Sequence, residues 1–379
     1  LNLNGLTRDQ LIFSGLPPMR FASALVAATL LVTPAAASSG DFRDFWAACD
    51  NLRNCSAYGF DTQLTGGGYI RIERGGAPSA PPKISVVTYA PEGVSFKLSF
   101  DDPALPGLPA AAQSGEELDV LDMRRVSFAG ESVAPLIDSL RKAKEIVITR
   151  IDPPGKKSEP PFSKISLNGA VAAMLWIDEQ QQRLGTVTAL VRRGDKPVSS
   201  IPAQPKAPLI VAAKGLSGAA ADRKPPKRDQ VALRKKAVRQ CGDGDEGELE
   251  DAIALSADTF LYPVRCPGAS GAYNHAYVFL LARAGQPQSA RSLSFQWPMK
   301  SGQRKRDAGD EDFLVNADFS NVDMTMRTFS KGRGIGDCGD EERWVWDGKS
   351  FQPAEVKTMP HCKGVPAEDW PTVYRADVK

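Results

Sequence analysis

Tyr69-Ile70-Arg71-Ile72-Glu73 alternates apolar and polar side chains with a period of two. Successive side chains of a strand point to opposite faces, so this stretch reads as a half-buried strand. Downstream, Lys83 to Thr88 and Val94 to Phe100 read as two more strands, separated by the turn signal Pro91-Glu92-Gly93. Upstream, Phe42-Arg43-Asp44-Phe45-Trp46 leads into Cys49. Pro103 to Pro109 is expected to be a loop, Val133 to Ala143 has helical spacing, and Glu145 to Ile151 is β-branched and strand-like. Ala170 to Gln182 reads as a helix capped by Ser166 or Asn168 and followed by Gly185, with a strand over Thr186 to Val191. Residues 38–194 are thus expected to form a β-rich, sandwich-like N-terminal domain.

Residues 195–229 break the periodicity, with prolines at 197, 202, 205, 208, 225 and 226 among Ala, Gly, Ser and Lys. That composition predicts an extended, poorly packed linker. Its end is basic: Lys224, Lys227, Arg228, Arg234, Lys235, Lys236 and Arg239. Such a run suits either an anionic docking segment, for membrane surface or wall polymer, or the solvated face of a helix. The second reading is preferred, with a helix from Arg228 to Gln240 burying Val231, Leu233 and Val238.

Residues 230–379 read as a second β-rich domain, an antiparallel sheet with one or two helices. Glu246 to Ala257 is expected to be a short helix with an acidic start. Strands are expected over Thr259–Cys266, Ala272–Ala282, Leu293–Trp297, Thr325–Ser330, Arg343–Trp346, Ser350–Glu355 and Thr372–Ala376, and Asp347-Gly348 is a hairpin signal. Ser301 to Phe313, rich in Lys, Arg and Asp, reads as an exposed loop. The fold class expected is mainly β with a few helices, an α+β chain of two β-rich domains.

Residues 1–37 read as an upstream extension plus a signal peptide. Met19-Arg20 precedes the uncharged apolar run Phe21 to Thr33, and Ala35-Ala36-Ala37 supplies a cleavage site. The run is shorter than the roughly 20 residues a membrane span needs, so no stable span is expected after cleavage near Ser38. The chain has six cysteines: Cys49, Cys55, Cys241, Cys266, Cys338 and Cys362. An even count behind a signal peptide reads as structural disulfides, and proximity favours Cys49–Cys55, Cys241–Cys266 and Cys338–Cys362. No tight C-x-x-C pair supports zinc or redox chemistry, and no metal or cofactor is expected. A net charge of +2 gives no case for nucleic acid.

Candidate chemistry centres on Lys331-Gly332-Arg333-Gly334-Ile335-Gly336-Asp337-Cys338-Gly339. The literal G-x-G-x-x-G at Gly334, Gly336 and Gly339 is followed by a strand rather than a helix, so a dinucleotide site fails on context. What remains is a glycine turn whose amides, with Lys331 and Arg333, suit an anion while Asp337 fixes the turn. The alternative is a disulfide-locked connection with Arg333 paired to a carboxylate. Trp344 and Trp346 are either hairpin packing or a stacking platform for sugar rings. Asp337 with Asp340 as an acid pair, and His275 as a general base without an evident nucleophile, define a weaker hydrolase reading. Asp243, Asp245 and Glu248 do not fit a calcium loop, because Glu248 takes the glycine position.

Cys49-Asp50-Asn51-Leu52-Arg53-Asn54-Cys55-Ser56-Ala57-Tyr58-Gly59, Leu175 to Gln181, Gly185 to Val191, Gly271-Ala272-Tyr273-Asn274 and Lys331 to Gly339 with Trp344 to Gly348 together resemble the bacterial domain-of-unknown-function family numbered 1176. The resemblance implies an exported protein of Gram-negative bacteria and carries no established activity. Leu140 to Ile151 with Phe162 to Ala173 also looks like the end of the invasion-associated locus B family, which implies a periplasmic β-sandwich. The reading is therefore an exported, soluble periplasmic binding or interaction module for an unknown envelope component or protein. Its ligand contacts would be Lys331, Arg333, Asp337, Trp344 and Trp346. The alternatives are a cell-envelope hydrolase using Asp337 or His275 and a purely structural envelope protein.

Overall fold

The computed structural model describes residues 37–62, 67–89, 95–108, 116–118, 123–151, 163–242, 246–297 and 313–379, which all lie in one compact unit. The expected leader, the Pro91-Glu92-Gly93 turn, Asp243, Asp245 and nearly all of the Ser301–Phe313 loop fall outside them. The protein is mainly β. Its first elements are β1 (Ser38–Phe42), β2 (Phe45–Cys49), β3 (Cys55–Phe60), β4 (Gly68–Arg74), β5 (Pro82–Tyr89), β6 (Phe96–Phe100), β7 (Glu116–Leu118), β8 (Met123–Phe128), α1 (Val133–Leu140), β9 (Glu145–Arg150), β10 (Ser163–Ser166) and α2 (Ala170–Gln180). There follow β11 (Leu209–Ile210), α3 (Lys227–Ala237), β12 (Glu248–Leu249), β13 (Ile253–Ala254), β14 (Thr259–Cys266), β15 (Ala276–Arg283), β16 (Gln286–Ser292), β17 (Leu314–Val315), β18 (Asp318–Ser320), β19 (Thr325–Lys331), β20 (Gly339–Trp346), β21 (Phe351–Met359), β22 (Thr372–Arg375) and β23 (Asp377–Val378).

A seven-stranded sheet, β1-β2-β3-β4-β5-β8-β7, carries the first part of the chain. One face of it buries Ile70, Ile72, Ile84 and Val86 against the small β10-β9-β6 sheet and both early helices. The α1 residues Val133, Leu136, Ile137 and Leu140 and the α2 residues Ala170, Ala173, Met174 and Ile177 repeat at i, i+3, i+4, i+7, the spacing of one helix face. The opposite face carries Tyr58, Tyr69 and Val87 and packs against Val356, Met359, Val365, Trp370 and Val373 from the five-stranded sheet β18-β19-β20-β21-β22 and its return loop. That sheet packs through Met326, Trp344, Trp346 and Phe351 on Leu261 and Phe279 of the β14–β15 sheet, whose other face takes Leu233 and Ala237 of α3. Disulfides join Cys49–Cys55, Cys241–Cys266 and Cys338–Cys362. The first links the in-register ends of the β2–β3 hairpin.

Several expectations are corrected. The period-two reading of β4 holds, but its polar face is more covered than a solvent face: Tyr69 is buried and Arg71 bonds Asp369 of the five-stranded sheet's return loop. Neither Ser166 nor Asn168 caps α2. Gly169 does, at φ +104°, where an added Cβ would lie 1.7 Å from the Phe42 carbonyl oxygen. Thr186 to Val191 is not a strand, because the Asp178 carboxylate takes the Leu190 and Val191 amides at 2.8 and 3.0 Å and folds the segment back on α2. Glu246 to Ala257 is not a helix; its β12 and β13 segments pair with β14. The Pro-rich segment is extended but not loosely packed. Ile201 and Ile210 are buried, β11 runs parallel to β23, and the Ala213 and Leu216 amides donate to the Trp346 and Asn321 carbonyls.

The contact at the polar face of β4 centres on Asp369. Its buried carboxylate accepts from Arg71 Nη1 at 3.0 Å, from Arg125 Nη2 at 2.6 and 2.7 Å, and from the Tyr69 hydroxyl. The Tyr58 hydroxyl donates to the Asp369 carbonyl at 2.6 Å. Burial and the adjacent Asp369 charge push the Tyr69 hydroxyl well above its usual range, so it stays a donor. Asp369→Ala strands two guanidinium groups and a phenol, and is expected to cost about 3–5 kcal/mol. Tyr69→Phe removes one charge-assisted bond and is expected to cost about 1.5–3 kcal/mol. Urea unfolding midpoints check both, and an Asp369→Ala loss no larger than that of Tyr69→Phe would contradict the central role of the carboxylate.

Candidate functional site

Beside the Asp369 contact lies a cleft of about 480 Å³ between the β3–β5 strands and the β21–β22 strands. It forms because charged residues occupy the alternate positions of strands whose other positions are apolar. Arg71 and Glu73 come from β4, Lys83 from β5, Glu355 and Lys357 from β21, and Arg375 from β22, with Arg74 and Glu368 completing the wall. Part of this charge is internally satisfied: Arg71 pairs with Glu73 at 2.7 Å, and Arg375 reaches Asp50 at 3.4 Å. Part is not. The Arg74 side chain is only 2% exposed, and its one carboxylate neighbour, Asp178, is 3.7 Å away. The Arg74 Nη1 and Arg71 Nε atoms are buried with no hydrogen-bond partner. Burial, reinforced by the like charge of Arg183, pushes Arg74 down to about 10 despite Asp178. Cations and carboxylates thus alternate on both walls of the cleft, with Arg71 Nε short of an acceptor.

The expected site lies elsewhere. Lys331 to Gly339 joins β19 to β20, and its polar groups are largely consumed within the protein. Asn274 bonds both the amide and the carbonyl of Lys331, at 3.1 and 2.8 Å. The Gly332 and Gly336 amides donate to the Cys338 and Arg333 carbonyls. Arg333 Nε donates to Asp337 at 2.6 Å with Nη2 on the second oxygen, and the Gly364 amide donates to Asp337 at 2.7 Å. Lys331 Nζ sits 5.3 Å from the Phe329 ring centroid. Gly339, at φ +136°, leaves no room for a Cβ, which would lie 1.9 Å from the Ser330 carbonyl oxygen. Trp344 and Trp346 are 1% and 3% exposed, so they pack the core and offer no ring face for sugar stacking. Asp337, Cys338 and Cys362 place ligand atoms together, yet both sulfurs are in a disulfide and supply no thiolate.

His275 is exposed, with its backbone bonded to Asn316. The other histidine, His361, bonds Asp41 at 2.9 Å beside a cavity of about 350 Å³ that Asp44 and Asp61 also line. The only sequence signal for the cleft was the polar half of the period-two strands, which a single strand cannot distinguish from a solvent face.

Burial works to raise the Asp337 carboxyl, but the Arg333 bonds and charge and the Gly364 amide outweigh it and hold the group below the usual carboxylate range. A depressed folded-state value adds stability that is complete above the unfolded value of about 3.9 and is lost as pH falls through the folded value. Asp337→Asn is therefore expected to lose about 1.5–3 kcal/mol at neutral pH. It should also flatten the fall of Tm below about pH 4. Thermal melts of both proteins across that range check this, and an unchanged acid limb would contradict it.

The chain is similar to the uncharacterized protein YpfG of Escherichia coli strain K12, at 27% identity over 307 residues, covering 80% of each chain. No solved structure matches it. The sequence profile of the family described as "Protein of unknown function (DUF1176)" matches residues 39–377, and the chain belongs to that family.

Proposed function

We propose that this protein is an exported binding module of the bacterial cell envelope, and that the charged cleft beside Asp369 is its ligand seat. The ligand class is a small polar molecule bearing a carboxylate together with amino or hydroxyl groups. The observation that carries this is Arg71, whose side chain lines a charged cleft of about 480 Å³ and whose Nε is buried with no hydrogen-bond partner. Leaving a buried donor unmade costs about 1–3 kcal/mol, so an acceptor entering the cleft recovers free energy that folding left unused. Glu73 beside Arg71, and Glu355 and Glu368 across the cleft, accept from amino or hydroxyl groups.

Export is supported by three disulfides, which persist in oxidising compartments. No helix among the described residues is long and apolar enough to cross a membrane. In this reading the segments 38–194 and 230–379 are separate β-rich domains, strapped together by 195–229, that contribute one wall each.

Calorimetric titration with dipeptides, uronic acids and neutral sugars tests the assignment. Heat of binding is expected for the carboxylate-bearing probes and not for neutral sugars, weakening as salt rises. Lys83→Glu/Lys357→Glu changes two cleft cations outside the Asp369 contact and is expected to lower affinity about tenfold or more. A Lys331→Ala/Arg333→Ala protein should bind as the unmodified one does. Loss of binding only in this second variant would return the site to the glycine turn, and no binding of any carboxylate probe would overturn the proposal.

A further inference from the structure

A second surface, independent of the cleft, lies on α3. Its inward face buries Asp229, Leu233 and Ala237, and the Asp229 carboxylate accepts the Gly285 amide at 2.6 Å. Lys236 reaches the Ala290 carbonyl of β16, and the Cys241–Cys266 disulfide ties the chain after the helix to β14. The helix is therefore held along its length and presents a fixed outer face.

The helix and its exposed basic face are as expected from the sequence, but two of the residues expected to be buried are not. Lys227, Arg228, Arg234, Lys235 and Arg239 are exposed. Val231 and Val238, expected to be buried, are instead 64% and 42% exposed. At about 100° per residue these seven side chains fall within an arc of roughly 140°, with both valines inside it and cations on either side. The helix's own acid, Asp229, is turned inward. Among the described residues, the ion pairs at this face are Lys224–Asp251 at 3.8 Å and Arg228–Asp229 at 3.9 Å. Lys227, Arg234, Lys235 and Arg239 have no carboxylate within ion-pair distance among them.

We infer that the outer face of α3 docks the protein on an anionic lipid surface. Charge complementarity selects the occupant. Five exposed cations, four of them without a carboxylate within ion-pair distance among the described residues, suit a layer of lipid phosphates, and two aliphatic side chains standing among them suit the headgroup–acyl boundary. A soluble polyanion would engage the cations equally well but gains nothing from the valines. The same face on a helix of purely electrostatic function would need no aliphatic residues.

Cosedimentation of the full chain with phosphatidylglycerol–cardiolipin vesicles and with phosphatidylcholine vesicles tests this. Residues outside α3 contribute equally in every arm. Binding to the anionic vesicles that falls as salt rises is expected, with little on phosphatidylcholine. Lys227→Ala/Arg234→Ala/Lys235→Ala is expected to weaken binding on the order of 100-fold, since each cation near an anionic leaflet contributes about fivefold. Val231→Ser/Val238→Ser should weaken vesicle binding about tenfold while leaving binding to soluble polyphosphate unchanged. Circular dichroism should show all proteins folded, as every altered residue is exposed. Vesicle binding insensitive to the cation variant would overturn the inference. So would valine-independent binding fully competed by polyphosphate, which would make a soluble polyanion the partner.

Discussion

A single buried carboxylate, Asp369, holds the polar face of the seven-stranded sheet against the return loop of the five-stranded sheet. Tyr69, Arg71 and Arg125 converge on it from β4 and β8, and Tyr58 of β3 takes its carbonyl. Sheets packed only by apolar contact can slide with modest loss, because dispersion and burial are non-directional. Four donors directed at one residue cannot slide. The contact fixes which strands of one sheet face which turn of the other, and Val356, Trp370 and Val373 then bury against Tyr58, Tyr69 and Val87 around it. Such a contact is expensive to break and adds less than its apparent strength when made, since both charges leave water. Its larger effect is to select one arrangement.

The cleft is a consequence of that selection. β4 sends Ile70 and Ile72 into the apolar core and Tyr69, Arg71 and Glu73 to the opposite side. Tyr69 and part of Arg71 are consumed by Asp369. Beyond them the two sheets separate, and the remaining charged residues line the gap. Arg71 belongs to both: its Nη1 holds Asp369, while its Nε remains unpartnered at the cleft. The donors available to a ligand are thus fixed in place before it arrives, which lowers the ordering cost of binding.

Local features were legible in the sequence and partner choice was not. The period of β4, the Asp347-Gly348 hairpin, the helical spacing of α1 and three sequence-local disulfides all depend on near neighbours. The failures share one cause, competition from distant groups. Thr186 to Val191 has strand composition, but Asp178 captures its amides. Glu246 to Ala257 has the acidic start of a helix, but β14 offers it an edge. Val231 and Val238 fit the spacing of a buried face, yet Leu233 and Ala237 face the core instead. The partners of Asp369 lie 244 to 311 residues away, and nothing in a single sequence marks a carboxylate as theirs.

The glycine turn and the cleft differ in how many of their polar groups folding has already engaged. Lys331 to Gly339 has the composition of an anion site, with glycines, cations and a fixing carboxylate. Folding has already used most of it: Arg333 is on Asp337, the Gly332 and Gly336 amides are on carbonyls, and Asn274 takes the Lys331 backbone. A hydrogen-bonding group engaged inside the protein must surrender that bond before it can hold a ligand, so the net gain approaches zero. Arg71 is in the opposite position. It lines the cleft with a buried Nε short of an acceptor, and sequence gives it no distinguishing mark. Binding sites are better sought where folding leaves polar groups unsatisfied than where the sequence concentrates them.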